Sequence, residues 1–281
     1  MKKIIAMMLV LVMVAAFAAC TDNDETSKTS SVAESSAVES SVAESSVAES
    51  SDAESSDASS EAEDNGVMTY EEYIAAELES EVVIEAYVQA HQSWWEDKIT
   101  VYCQDKDGAY FLYELACSEE DAAKLIPGTK IRVKGFKTEW EGEVEVASGA
   151  TFEFIEGADT FIADALDVTA LLGTDDLIKH QNEFVSFKGM TVAASKDAEG
   201  NDVAFLYNWD GSGEQGNDLY FNVSINGATY NFCVESYLCG KDTDVYKAVE
   251  ALEIGDVIDM EGFLYWYQGA NPHITSVTVA E

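Results

Sequence analysis

The side chains that most often do chemistry are few and scattered. His91, His180 and His273 stand far apart, and none belongs to a His-Glu-x-x-His run that would set two imidazoles around zinc. No Gly-x-Ser-x-Gly elbow presents a nucleophile, and no glycine-rich loop is built to cradle a phosphate. Carboxylates are everywhere: 54 Asp+Glu against 15 Lys+Arg give a formal net charge of −39. In so acidic a chain, two neighbouring acids carry no catalytic information. Between Ser195 and Asn217 lies a loop rich in Gly and acidic residues, whose oxygens could hold Ca²⁺. Its spacing lacks the Asp-x-Asx-x-Asx-Gly run of an EF-hand, and a solvated turn explains it as well. The expectation is a non-catalytic binding or scaffold protein without cofactor or metal ligands; an envelope enzyme with an unrecognised site is the rival.

Aromatic residues make up 11% of the chain and offer a different chemistry. Read as strands, the segments around residues 82–89, 99–104 and 110–115 put Tyr87, Tyr102 and Tyr110 on one face with Thr100 and Gln104. The loop His91-Gln92-Ser93-Trp94-Trp95 adds two indoles, and Tyr220 occupies a comparable strand later in the chain. Such rings can stack sugars or bases. The alternative is structural: a helix over residues 70–78 or a neighbouring domain covers the face, and Trp94-Trp95 closes the end of the fold.

Lys130, Arg132 and Lys134 share a strand face, with Lys137 just beyond. Either this stripe meets an anion, or it pairs with neighbouring acids such as Glu143 and Glu145. From Val67 onward the chain has 12 Lys+Arg against 41 Asp+Glu, a net charge of about −29. Domains that grip nucleic acid are usually basic. Charge therefore argues against a nucleic-acid partner and leaves a glycan or a protein as the expected ligand. A nucleic-acid binder using the tyrosines and the basic stripe is the alternative.

The N-terminus differs from the rest. Lys2 and Lys3 precede an apolar run from Ile4 to Phe17, too short for a comfortable bilayer span. Ala18 and Ala19 lead into Cys20. This resembles the lipobox of bacterial lipoproteins, which implies cleavage before Cys20 and lipidation of its thiol. An ordinary cleaved signal in which Cys20 falls by chance is the other reading. From Ser30, SSVAE-like units repeat every five residues with no aromatic residue. That period fits neither a helical stripe nor strand alternation. The composition predicts a disordered linker of about 40 Å reach. The expected divisions are 1–19 (signal), 20–66 (lipidated Cys20 and linker), 67–157 and 158–281.

The last two divisions are copies of one unit. Leu125-Ile-Pro-Gly128 … Ile131-Arg-Val133-Lys-Gly135-Phe136 aligns without a gap to Leu252-Glu-Ile-Gly255 … Ile258-Asp-Met260-Glu-Gly262-Phe263, an offset of 127 that Gly142 and Gly269 keep. Thr69-Tyr-Glu-Glu72 is a capping box that should open a helix, and Thr174 should open its counterpart. In the first hairpin the apolar pattern predicts a three-residue loop, Lys106 to Gly108, pairing Val101 with Tyr113 and Cys103 with Phe111. In the second, Asn226-Gly227 predicts a type I′ turn that pairs Val223 with Tyr230, Phe221 with Phe232 and Leu219 with Val234. Cys117 then lies roughly 20 Å along the strand from Cys103, beyond the ~7 Å a disulfide spans. Cys233 and Cys239 are left open.

Each unit reads strand, strand, strand, helix, strand, strand, which is the OB-fold order. The repeated Leu-x-x-Gly…Gly-Phe strand, and Asn271-Pro272-His273-Ile274 opening the last strand, resemble the OB-fold domains of secreted bacterial lipoproteins. The resemblance covers nearly all of residues 68–281. It implies a binding module on the extracytoplasmic face of a membrane and names no ligand. The expected fold is mainly β with short helices, as two tandem OB-fold-like five-stranded barrels. Another small barrel or sandwich, SH3-like or Ig-like, is the alternative.

Overall fold

The computed structural model of the protein describes residues 66–280. The expected signal peptide, lipidated Cys20 and repeat linker lie outside the described residues, apart from Gly66. Helix α1 spans Tyr70–Ala75. It is followed by β1 (Glu81–His91), β2 (Lys98–Gln104), β3 (Ala109–Ala116), α2 (Glu119–Ala122), β4 (Lys130–Trp140), β5 (Glu143–Val146) and β6 (Thr151–Phe154). The second half begins with β7 (Leu166–Asp167) and two 3₁₀ turns, Thr169–Leu171 and Leu177–His180. Then come β8 (Phe184–Ala193), β9 (Ser195–Lys196), β10 (Asp202–Val203), β11 (Phe205–Tyr207), β12 (Leu219–Ile225), β13 (Ala228–Val234), α3 (Asp244–Glu250), β14 (Val257–Phe263) and β15 (His273–Val279).

Both halves close the same way. In the first, the strand order β1-β2-β3-β5-β4 returns to β1, with β3 and β5 parallel. In the second, β8-β12-β13-β15-β14 returns to β8, with β13 and β15 parallel. A helix lies between the third and fourth strands of each. The chain is therefore mainly β, with three short helices and two closed five-stranded OB-type barrels.

The sequence repeat has a physical cause. Gly128 and Gly255 adopt φ of +89° and +100°, a region costly for other residues. Each turn sets its amide on the equivalent first-strand carbonyl: Gly128 N–H donates to Val88 at 2.8 Å, and Gly255 N–H to Val192 at 2.9 Å. Gly135 and Gly262 lie where the fifth strand passes closest. A methyl on Gly135 would come within 2.7 Å of Val146 Cγ1 at the end of β5, and one on Gly262 would run into the His273 carbonyl oxygen.

The capping box forms: Thr69 N–H donates to Glu72 Oε2 at 2.8 Å, and Glu72 N–H donates to Thr69 Oγ1 at 3.2 Å. Helix α1 packs its buried Tyr73 on the first barrel. Lys137 is turned inward beneath it, donating to the carbonyls of Tyr73, Ile74 and Ala76 at 3.0, 2.7 and 2.8 Å. It thus satisfies the carbonyls a helix leaves open at its C-terminus. The expected counterpart helix at Thr174 is replaced by the two 3₁₀ turns. Extended Leu172 and left-handed Gly173 separate them, and Asp176 makes no capping bond.

The second hairpin has the expected register, with Val223, Phe221 and Leu219 opposite Tyr230, Phe232 and Val234. The first differs. Val101 pairs with Leu112 and Cys103 with Tyr110, so the loop is Asp105–Gly108, closed by Asp105 Oδ1 accepting from the Asp107 and Gly108 amides. The cause is a bulge at Glu114, at φ +47°, whose amide donates to Thr100 Oγ1 at 3.2 Å. It changes the parity of β3, so Leu112 and Leu115 both enter the core and Tyr113 faces out. Cys103, Cys117, Cys233 and Cys239 are free, buried thiols; burial pushes Cys117 and Cys239 up to about 11, which keeps them unreactive.

Candidate functional site: an aromatic groove between two barrels

The barrels meet along strands β2 and β3 of the first and β14, β15 and their connecting turn in the second. Tyr102, Phe111 and Phe263 form a small buried cluster there, with Phe184 and Tyr265 against it. The Tyr102 hydroxyl lies 2.6 Å from His273 Nδ1. Burial lowers His273 to about 3, so the neutral ring accepts and the hydroxyl donates. Gln104 Oε1 accepts from the Phe184 amide at 2.8 Å. Glu143, fully buried, accepts through Oε2 from the Trp266 amide at 2.8 Å and from Gln181 Nε2 at 3.2 Å.

Above this seam runs a groove made of two adjoining cavities, of about 1050 and 340 Å³, that share Gln92 and Tyr113 as walls. Seven large aromatic side chains are exposed among the described residues. Six of them line the groove: Trp95, Tyr113, Trp140, Trp209, Tyr237 and Tyr267; the seventh, Phe136, does not. Exposed aromatics are normally scattered, so such concentration makes the groove the candidate site. Tyr265 is held at the floor, its ring stacked on His273 at 4.3 Å and edge-on to Phe111 at 5.2 Å. The polar lining consists chiefly of the amides of Gln92, Asn231, Gln268 and Asn271 and the carboxyl of Glu145. Lys98, the cation of the smaller cavity, is bound to Glu114 at 2.9 Å.

The residues singled out from sequence are dispersed. Trp95 and Tyr220 line the groove. Tyr102 is buried by the second barrel, stacked on Phe263 at 4.5 Å. Tyr110 is buried by α1, edge-on to Tyr70 and Tyr73 at 5.5 and 5.0 Å. Both are thus covered as the structural alternative anticipated. Trp94 packs on the first core and donates through Nε1 to the Cys117 carbonyl at 2.8 Å. Tyr87 is half-buried against Phe161 at 5.5 Å, with Lys130 Nζ 5.6 Å over its ring. The basic stripe is neutralised, though by other acids than expected. Lys130 and Arg132 both bind Glu85, at 2.8 and 2.7 Å; Arg132 also binds Glu153 at 2.9 Å, and Lys134 binds Glu81 at 3.0 Å.

Tyr113, Trp140, Trp209, Tyr237, Tyr265 and Tyr267 were missed. One signal was available: Tyr265-Trp266-Tyr267 sits beside Gly269 in a turn, where three consecutive rings cannot all enter one core. Trp266 goes inward and its neighbours face the groove.

No protein-family model matches the chain, and no curated protein matches it. Among solved structures it is similar to the p204 HINb domain, at 10% identity and a TM-score of 0.34, covering 73% of this chain and 100% of that one. It is similar to a murine DNA-binding protein bound with double-stranded DNA, at 13% identity and a TM-score of 0.34, covering 71% and 96%. A third is a replication protein A heterotrimer bound to single-stranded DNA, at 10% identity and a TM-score of 0.26, covering 76% and 69%.

The expectation that charge argues against a nucleic-acid partner is corrected. Proteins similar to this chain are described with bound DNA. The physical reason is that net charge belongs to the whole chain, whereas the groove is walled mainly by uncharged rings and amides. Base stacking on such rings needs no cation. At these TM-scores the likeness itself assigns no ligand to this chain.

Proposed function

We propose that this chain is a non-catalytic OB-type binding protein that holds an oligomeric ligand by the faces of its rings, with a glycan as the first reading. The observation that carries it is the gathering of six of seven exposed aromatic side chains on one groove with amide walls. Amides offer donors and acceptors together, as sugar hydroxyls require. A second reading rests on the fold. OB barrels present the strand two–three face and its loops to oligonucleotides as well as oligosaccharides, and Tyr113 on β3 and Trp95 beside β2 lie on that side. Intrinsic tryptophan fluorescence of the full chain, titrated with neutral hexasaccharides of glucose, xylose, mannose and N-acetylglucosamine and with single-stranded dodecanucleotides, separates the two. Saturable quenching by a hexasaccharide, lost in a Trp140→Ala/Tyr267→Ala variant, supports the glycan reading. Quenching by oligonucleotides alone replaces it with the second.

The same proposal carries an extracytoplasmic position held by acyl chains on Cys20, which add about 0.8 kcal/mol of membrane affinity per buried methylene. A Cys20→Ser variant should leave the membrane fraction; its retention there would remove the anchor from the proposal.

A further inference from the structure

We propose that Glu145 is the ligand-orienting residue of the groove, its carboxyl accepting a hydrogen bond from a hydroxyl of a sugar ring stacked on the aromatic wall. The proposal rests on the glycan reading above and adds to it a specificity-determining residue.

Four observations lead to Glu145. It lies on β5 opposite Phe111 of β3 and Thr138 of β4, at the point where strands of the first barrel form the groove floor. Its side chain lines the larger cavity, yet the residue is only 7% exposed. No hydrogen bond or ion pair from the described residues reaches its carboxyl. Every other charged side chain lining the two cavities, Lys98 and Glu114, is already paired with the other. The carboxyl oxygens open onto the cavity, so in the empty groove water is their only partner, and a ligand donor takes the place of that water at a group the surrounding side chains already desolvate. Serine, threonine or an amide would line the groove without the desolvation that a carboxyl bears here.

The groups around Glu145 restrict what that donor can be. Tyr73, Tyr113 and Tyr265 feel its charge, and Glu143 lies two residues before it on the same strand. No cation is among them, so the carboxyl has no internal counter-charge. A ligand group carrying negative charge at this point would add to the repulsion, and an uncharged hydroxyl would not. The carboxyl therefore selects a neutral donor, while Tyr113, Tyr265 and Tyr267 provide faces for the ring that bears it.

Burial alone raises Glu145 to about 7. A hydrogen bond to an ionised acceptor is roughly twice as strong as one to a neutral acceptor. Affinity for a hydroxyl donor should then rise by roughly fivefold between pH 6 and pH 8, as the carboxyl ionises.

The test uses the full chain and the best-binding neutral hexasaccharide, titrated calorimetrically at pH 6, 7 and 8. It compares wild type, Glu145→Gln and Trp140→Ala/Tyr267→Ala, with thermal melting to show that each variant is folded. Glu145→Gln keeps shape and size, so it should hold the wild-type affinity of pH 6 at every pH. The aromatic double variant should bind at least tenfold more weakly and keep the pH dependence. If the aromatic variant loses affinity while Glu145→Gln binds like wild type at all three pH values, the role of Glu145 is wrong and the groove reading stands. If neither variant changes the affinity, or only oligonucleotides bind, both fall.

Discussion

At the scale of single residues, two acids on one short strand have separate tasks. Glu145 faces the groove; Glu143 is sealed in the seam between the barrels. Its Oε1 and the Oδ1 of Asn182 are both buried acceptors without a donor. Asn182 Nδ2 is already committed to the Val144 carbonyl at 3.1 Å. Burial holds the Glu143 carboxyl well above the usual carboxylate range, which favours its protonated form. A neutral isostere should therefore serve. Glu143→Gln places an amide N–H where the carboxyl O–H was and should change unfolding stability by less than about 1 kcal/mol. Glu143→Ala leaves the Trp266 amide without its acceptor, takes one acceptor from Gln181 Nε2 and opens a cavity, at a cost of roughly 2–4 kcal/mol. Urea denaturation of the three proteins measures the difference. A Gln variant as unstable as the Ala variant would mean that the buried group is charged.

At the scale of elements, the sequence was most informative where one local signal controls one local geometry. Asn226-Gly227 specified a turn, the turn specified a register, and all three apolar pairs followed. The Leu-x-x-Gly repeat specified the fourth strand of both barrels because its glycines answer to backbone geometry rather than to a ligand. The first hairpin was misread for a reason no alternation pattern reveals. A bulge at Glu114 inserts one residue and reverses which side chains of β3 face the core. The same slip hid Tyr113, which the expected register placed inside. The Thr174 helix did not form: the Thr174 hydroxyl turns back to donate to the Leu171 carbonyl, and the segment settles as two 3₁₀ turns. The groove was the least legible feature. Its walls come from β3, from the end of β4 and β5, from the loop around Trp209 and from the turn after β14. Periodicity describes each segment alone, and only the packing of one barrel on the other brings these four together.

At the scale of the whole molecule, charge and burial act in the same direction with pH, and they can be separated. Glu145 and Glu235 are both raised by burial, from an ordinary 4.5 to about 7, with Asp218 adding to the shift at Glu235. As pH rises past 4.5, the unfolded chain releases these protons first and the folded chain keeps them until about 7. The contribution of both groups to stability is therefore full below 4.5 and is lost as pH rises through 7. Glu143, also raised by burial, acts in the same sense. Repulsion within a folded part of about −29 also destabilises the compact state as acids ionise. The two causes respond differently to salt. Repulsion across the surface is largely screened near 1 M salt, where the Debye length is about 3 Å, whereas desolvation of a buried carboxyl is not. Melting temperature should accordingly fall between pH 5 and pH 7.5, and a clear part of that fall should persist in about 1 M NaCl. A Glu145→Gln/Glu235→Gln variant should lose the salt-resistant part and keep the salt-sensitive part. Abolition of the whole pH dependence by salt in the wild type would assign it to surface repulsion and leave both buried acids ionised in the folded protein.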